Sequence, residues 1–314
     1  MPSHHVKRAL HSGHLVGCLL MAIAFGRGSA AAAQTPGAKS DWSAVEQALG
    51  RKGASNPGDV IKFSFPRSDM TVSVGGVQLK PALALGSWVA FKHANGGSIA
   101  MGDLVLAEEE VGPVMRKLQE GGVQQTAVHN HVLMESPRVL YMHIEGHGDA
   151  AKIGATIHGA LALTKTPMEA PSSPAASSSA IELDTAMIAK TLGVAGKVNG
   201  GVYQETVPRI DHIMEHGTEI PPSMGVATAI NFQPTGGGKA AITGDFVMTA
   251  SEVNPVIRAL TSHGIAVTAL HSHMLEETPR LFFMHFWAND DASALATGLR
   301  AALDQMNVKR ATQP

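Results

Sequence analysis

Three histidines recur at the same spacing in two stretches of the chain. Residues 129–143 read HNHVLMESPRVLYMH, and residues 271–285 read HSHMLEETPRLFFMH, with no gap between the two copies. The matched histidines are His129, His131 and His143 in the first stretch, and His271, His273 and His285 in the second. Six of the 16 histidines therefore occupy matched positions, which scattered surface histidines would not do.

The spacing of these histidines is typical of a metal site on paired β-strands. Side chains alternate between the two faces of a strand, so His129 and His131 should project from the same face. A returning strand would bring His143 level with them. Three protein ligands and an open position suit catalytic zinc, and imidazole also suits copper, iron or nickel. We expect zinc or copper, bound either by one site in each repeat or by one site that both repeats share.

Charged residues lie in the connection between the two histidine-bearing strands of each copy. Glu135 and its match Glu277 are candidate catalytic acid/base groups, metal ligands, or residues that orient a ligand. Arg138 and its match Arg280 are candidates to bind a small anionic substrate through a carboxylate or phosphate. A structural salt bridge to the neighbouring glutamate is the other interpretation of each arginine.

Three functions agree with this set of residues. The first is a secreted or periplasmic metal-binding protein that handles zinc or copper without turnover. The second is an extracytoplasmic metalloenzyme, a hydrolase or an oxygen-activating enzyme, with Glu135 or Glu277 as the acid/base. The third is a metal-free envelope binding module with structural histidines. Metal binding is placed first because it assumes the least chemistry.

The histidine stretches belong to a longer duplication, in which each copy has the same order of elements. Strands are predicted at 60–67, 98–106, 123–131 and 139–144, with one helix before residue 122 and another beginning after Asp149. The predicted fold class is α+β, with two tandem homologous copies. Each copy should be an antiparallel sheet with helices on one face, and its β-α-β-β-α core suggests a ferredoxin-like arrangement.

Four segments are predicted along the chain. They are a signal peptide at 1–33, a first repeat domain at 34–163, a linker rich in proline, serine and alanine at 164–180, and a second repeat domain at 181–314. Lys7 and Arg8 precede a short apolar run, and cleavage is expected near Ala33, giving a secreted or periplasmic protein. Lipid anchoring at Cys18 is disfavoured because the apolar run follows this cysteine instead of preceding it.

Composition narrows the function classes. The hydrophobic content of 44% with 16% charged residues indicates a globular protein, and 314 residues suffice for two ordinary domains. The formal net charge of −2 argues against a nucleic-acid partner. The apolar run near the amino terminus is too short for a transmembrane segment.

Several matched residues have a structural interpretation. Asp149 and Asp291 are expected to be helix N-caps, and Met142 is expected to pack in the core. Arg67 should pair locally with Asp69. The dipeptides Gly102-Asp103 and Gly244-Asp245 are interpreted as the beginnings of strands, with each aspartate as a turn or register residue.

The matched motifs resemble the LppY/LpqO family of secreted proteins and lipoproteins. They are Gly102-Asp103, AVHNH at 127–131, ESPR at 135–138 and YMH at 141–143, with ALHSH at 269–273 and FFMH at 282–285 in the second copy. The resemblance covers nearly all of the chain after the predicted signal. It implies an extracytoplasmic protein and no particular activity.

Overall fold

The structure is a computed structural model that describes residues 41–169 and 181–309. The predicted signal peptide and cleavage site, Cys18, and residues 170–180 of the predicted linker lie outside the described residues. Among the residues that are described, no helix is both long and apolar enough to span a membrane.

The two repeats contain the same series of strands and helices. The first repeat has α1 Ser43–Leu49, β1 Ala54–Asn56, β2 Val60–Pro66, β3 Ser73–Val74, β4 Val77–Gln78, α2 Pro81–Ala84, β5 Gly86–Ala94, β6 Gly97–Ala107, a 3-10 turn Glu108–Glu110, α3 Val111–Glu120, β7 Gln124–His129, β8 Val139–Gly148 and α4 Ala150–Leu161. The second has α5 Thr185–Leu192, β9 Lys197–Asn199, β10 Val202–Pro208, β11 Met214–Glu215, β12 Thr218–Glu219, a 3-10 turn Pro222–Met224, β13 Ala227–Gly236, β14 Lys239–Thr249, α6 Ala250–Ser262, β15 Ala266–His271, β16 Leu281–Asp291 and α7 Ala292–Leu303. The predicted α+β class with two tandem copies is confirmed.

Each repeat builds one six-stranded antiparallel sheet. The strand order is β1-β2-β5-β6-β8-β7 in the first sheet and β9-β10-β13-β14-β16-β15 in the second. In both sheets, the last strand in the chain lies between the two strands that flank the preceding helix. In the first sheet, β8 lies between β6 and β7, which flank α3. This β-α-β-β order is the split arrangement of ferredoxin-like folds, extended here by strands that precede it in the chain.

The helices cover one face of each sheet because alternate strand residues there are apolar. Leu104 and Leu106 of β6 lie in the same buried cluster as Val114 and Leu118 of α3. Full burial of each such side chain contributes roughly 1.5–3 kcal/mol. Since Val105 between them belongs to a different cluster on the other face, the predicted helix-on-one-face arrangement is confirmed.

The faces without helices pack against each other. Ile99 and Met101 of the first sheet share a buried cluster with Val247 and Phe283 of the second. The layers therefore run helices, sheet, sheet, helices. Most side chains in the middle of the helix-free faces, His143 and His285 among them, are buried between the two repeats.

The interpretation of Asp103 and Asp245 as turn residues at the beginnings of strands is wrong. Both lie in the middle of 11-residue strands, where Asp103 pairs with His143 and Asp245 pairs with His285. The preceding glycine reflects close packing and does not mark the beginning of a strand, since a Cβ at Gly244 would overlap the backbone of the neighbouring strand. The two aspartates consequently face the layer between the sheets.

The other structural interpretations are confirmed. The Asp149 side chain accepts hydrogen bonds from the first-turn amides of α4, and Asp291 does the same for α7. Met142 is fully buried. Arg67 pairs with Asp69 at 2.9 Å, and it also pairs with buried Glu110 at 2.7 Å.

Glu205 should make the stability of the fold depend on pH. It is buried on the helix-facing side of β10, where the first repeat has Phe63, and burial raises its pKa from 4.5 to about 7. A raised carboxyl pKa stabilises the fold fully below the unfolded value, and this contribution is lost as pH rises through about 7. We expect the stabilisation of Glu205→Gln relative to wild type to be roughly 3 kcal/mol larger at pH 8 than at pH 4.

Urea unfolding of wild type and variant at both pH values measures this difference. Glu182→Gln, at an exposed position, is the control and should leave the pH dependence unchanged. An equal effect of Glu205→Gln at pH 4 and pH 8 would contradict the prediction.

Candidate metal centre

The ends of β7 and β15 meet between the sheets and bring the two histidine motifs together. The Thr126 hydroxyl donates to the backbone carbonyl of His273 at 2.7 Å. Its match, Thr268, donates to the backbone carbonyl of His131 at 2.5 Å. Because matched residues make matched contacts in opposite directions, the two repeats are related by a pseudo-twofold axis at this point.

All six matched histidines lie in one cluster on this axis. The closest pairs of ring centroids are His129 with His271 at 3.7 Å, His131 with His285 at 3.8 Å, and His143 with His273 at 3.7 Å. Each pair joins one repeat to the other. The structure thus has the shared arrangement, which the sequence left open beside one site in each repeat.

Among the residues that the structure describes, two sets of three histidines are close enough to hold a metal ion, and each set draws on both repeats. One is His129, His271 and His285, and the other is His143, His271 and His273, with ligand atoms within 4.8 Å of one another. The expectation of a separate site in each repeat is corrected here. The face that carries the histidines packs against the other repeat, so ligands from one repeat meet ligands from the other.

Backbone carbonyls hold several rings with one nitrogen turned away from the cluster centre. The Nδ1–H of His285 donates to the Gly244 carbonyl at 2.6 Å, and that of His129 donates to the Asn130 carbonyl at 3.0 Å. His273 Nδ1 lies 3.2 Å from the Gly225 carbonyl. When Nδ1 carries the proton, Nε2 has a free lone pair. Metal-binding histidines commonly have this kind of outer hydrogen bond.

Five of the six histidines have a buried ring nitrogen without a hydrogen-bond partner among the described residues. These atoms are His129 Nε2, His131 Nε2, His143 Nε2, His271 Nδ1 and His285 Nε2. Buried polar atoms are nearly always paired, and each unpaired one costs about 1–3 kcal/mol. Metal coordination would satisfy such nitrogens, so this donor set fits a transition-metal ion.

Burial favours the neutral form of five histidines in the cluster: His129, His131, His143, His271 and His285. Burial, and then the neighbouring imidazoles, lower the pKa of His143 well below its usual value. Burial lowers the pKa of His131, His271 and His285 in the same way. A neutral imidazole is the form that binds metal, so the rings need not release a proton on binding.

Asp103 and Asp245 lie beside the histidines, which the sequence interpretation missed. Asp245 Oδ2 is 2.9 Å from His273 Nε2, and Asp103 Oδ2 is 3.4 Å from His131 Nε2. Burial raises the pKa of Asp103. The available signal was the Gly-Asp dipeptide at the same place in both copies. These carboxylates supply negative charge, or oxygen ligands, next to the imidazoles.

Two aromatic rings form the walls of the cluster. Tyr141 stacks on His131 with centroids 3.3 Å apart, and its match Phe283 stacks on His273 at 3.5 Å. The Tyr141 hydroxyl is buried without a hydrogen-bond partner in the part of the chain that is described, and burial raises its pKa well above the usual value. The two aromatic walls therefore differ by one hydroxyl group.

Glu135, Glu277 and the two arginines lie in the connections instead of among the imidazoles. Buried Glu277 accepts from the Leu281 amide at 2.8 Å and from Arg280 at 3.1 Å. Glu135 accepts from the Val139 amide at 3.4 Å. Arg280 thus forms the structural salt bridge that was one of its two interpretations. Exposed Arg138 forms no ion pair among the described residues, and its anion-binding role stays a prediction.

A family model described as "Domain of Unknown Function (DUF1259)" matches residues 43–163 and again residues 186–305. The chain belongs to this family. The two matches coincide with the two repeats, so the duplicated unit is one DUF1259 domain. The histidine cluster lies where two DUF1259 domains of the same chain meet.

Three solved structures are distantly similar to this DUF1259 protein. A trimeric bacterial microcompartment shell protein, PduB, is 12% identical over 82% of this chain and 95% of its own, with a TM-score of 0.22. EtuB from Clostridium kluyveri is 10% identical over 80% and 90% (TM-score 0.18), and the ethanolamine utilization protein EutL from Leptotrichia buccalis is 8% identical over 66% and 79% (TM-score 0.17). Likeness at these TM-scores carries no argument. No curated protein matches the chain.

Proposed function

We propose that this protein binds a transition-metal ion, zinc or copper, in the six-histidine centre between its two DUF1259 domains. The observation that carries the proposal is the group of buried ring nitrogens without hydrogen-bond partners. These nitrogens belong to neutral imidazoles, several of which are oriented by backbone carbonyls. Nitrogen ligands of this kind suit zinc, copper, iron and nickel.

Metal handling fits the centre better than turnover does. His143 and His285 are each only 3% exposed, so bound metal would have little contact with solvent. The cluster has six imidazoles, enough to supply all four ligands of a structural zinc ion. A catalytic zinc ion instead keeps one position open for water or substrate. With the signal-like amino terminus, we place this activity outside the cytoplasm.

A metalloenzyme is the second candidate, favoured by the buried carboxylate beside the imidazoles. Asp103 Oδ1 has no hydrogen-bond partner among the described residues, and its raised pKa is typical of an acid/base group. Glu135 and Glu277, the acid/base candidates from the sequence, are bonded to backbone amides of their own connections. A hydrolase or oxygen-activating reaction would then use Asp103 for proton transfer.

Metal analysis of untagged protein tests the proposal. We expect the six-histidine centre to contribute about one or two transition-metal ions per chain by plasma mass spectrometry, because it holds two overlapping sets of three ligands. Metal added at 100 times its dissociation constant should stabilise the chelator-stripped protein by about 2.7 kcal/mol. Thermal unfolding with and without metal measures this.

The Glu135→Gln/Glu277→Gln double variant separates two interpretations of those glutamates. It should retain the metal, because both carboxylates bond to the connections and belong to neither set of three histidines. If stripped wild type takes up no zinc, copper, iron or nickel, the proposal is overturned and the metal-free binding module remains.

A further inference from the structure

A second group of potential ligands lies at the edge of the interface between the repeats. Glu145 and His147 are on β8 of the first repeat, and His216 is at the turn between β11 and β12 of the second. Glu145 Oε1 lies 2.6 Å from His147 Nε2 and 3.6 Å from His216 Nε2. One ligand atom from each of the three residues lies within 4.8 Å of the others.

This group is separate from the six-histidine centre. Glu145 follows His143 by two residues on β8, so their Cα atoms are about 7 Å apart. The two groups share no residue. The His147 and His216 side chains are 37% and 44% exposed, so this group faces solvent, unlike the buried centre.

The pseudo-twofold axis relates this group to a second position in the interface, where the residues are of different types. The bridges Ser73–Ser136 and Met214–Thr278 align the two hairpins, so that Val74 and Gly75 correspond to Glu215 and His216. On the facing strand, Trp287 and Asn289 correspond to Glu145 and His147. Val74 and Trp287 belong to one apolar cluster. An apolar contact suffices for the fold at the position of Val74 and Trp287. The fold therefore does not require carboxylates and imidazoles at the position of Glu145, His147 and His216.

The backbone at His216 also points to a role for this side chain. His216 has φ 46°, in the left-handed region that L residues rarely adopt, and its match Gly75 has φ 55°. Glycine is the residue that suits this turn position without strain. Histidine at this position places its Nε2 3.6 Å from Oε1 of Glu145.

The carboxylates of this group lack a permanent positive partner. Glu145 and Glu215 are only 2% and 1% exposed, and Oε2 of each is buried without a hydrogen-bond partner among the described residues. Within the same residues, only histidines form ion pairs with them. Two buried carboxylates aimed at one place would be stabilised by a cation.

We propose that Glu145, His147 and His216 form a second site for a divalent transition metal, distinct from the six-histidine centre. Two imidazoles and one carboxylate with open positions are a ligand set used by zinc and by iron(II). Glu276 Oε2 lies 3.5 Å from His216 Nδ1 and orients the ring. Glu215 adds negative charge beside the metal.

The other repeat supplies the substitutions that test this site. His147→Asn and His216→Gly introduce the residues found at the matched positions, so the double variant should fold. Zinc alone is titrated into stripped protein, and bound zinc is counted by plasma mass spectrometry. We expect the double variant to bind one zinc fewer than wild type, and Glu145→Gln to weaken that zinc at least tenfold. His212→Ala, at an exposed histidine paired with Glu219, is the control and should bind as wild type does.

The same titration on His271→Ala distinguishes the two proposals. A zinc that is lost in the double variant and kept in His271→Ala supports the second site, whether or not the six-histidine centre binds metal. Equal stoichiometry and affinity of the double variant and wild type overturn the second site and leave the central one intact. Cobalt absorption spectra of the variants supply a readout of ligand geometry that simple loss of stability would not change.

Discussion

Replacing His271 by alanine is expected to weaken metal binding at the six-histidine centre at least about 100-fold, since loss of a ligand should exceed the 10–100-fold effect of outer-shell changes. His271 belongs to both sets of three histidines that can hold an ion. Its Nε2 lies 3.1 Å from His273 Nε2, so the two rings already point their donor atoms at one place. Competition with a chelator of known affinity, measured on stripped and reloaded protein, gives the change in dissociation constant.

The fold should tolerate this change. Alanine removes a buried nitrogen that has no hydrogen-bond partner among the described residues, and this gain offsets part of the cost of losing the contact with His273, so the metal-free variant should remain folded. His212→Ala, where the side chain is 84% exposed, is the matched control and should leave affinity unchanged. If His271→Ala holds metal as tightly as wild type does, the six-histidine centre is not the binding site.

Replacing Arg67 by alanine should lower the free energy of unfolding by about 3–5 kcal/mol, because it leaves a buried carboxylate without its partner. Arg67 is 1% exposed and pairs with Glu110 through both terminal nitrogens, at 2.7 and 3.2 Å. It also donates to the Val105 carbonyl at 2.7 Å, which connects the end of β2 to β6. Urea or thermal unfolding of the metal-free protein measures the loss.

Two further variants show whether the burial of the Arg67–Glu110 pair causes the loss of stability in Arg67→Ala. Lys117→Ala breaks an exposed pair with Glu120 and should cost less than about 1 kcal/mol. The double variant Arg67→Met/Glu110→Gln removes both charges and should recover part of the loss. A cost below about 1 kcal/mol for Arg67→Ala would show that this network does not stabilise the fold.

Local patterns in the sequence were sufficient to predict the strands, the helices and the candidate metal ligands. The β-α-β-β-α order, the N-caps Asp149 and Asp291, and the buried Met142 depend on residues close together in the chain. The duplication was visible because two stretches of the sequence match. The six histidines were recognisable because each motif recurs at a fixed spacing. Alternation along a strand also placed His143 on the opposite face of its strand from Met142.

The packing of the two sheets against each other determined which of these ligand candidates meet. Sequence periodicity shows which face of a strand is buried, but it does not show what covers that face. The helix-free faces cover each other here, so His129 meets His271 instead of forming a site within its own repeat. The same packing brings His216 of the second repeat to Glu145 of the first. Such contacts join residues far apart in the chain, and they depend on the orientation of two sheets that no local pattern specifies.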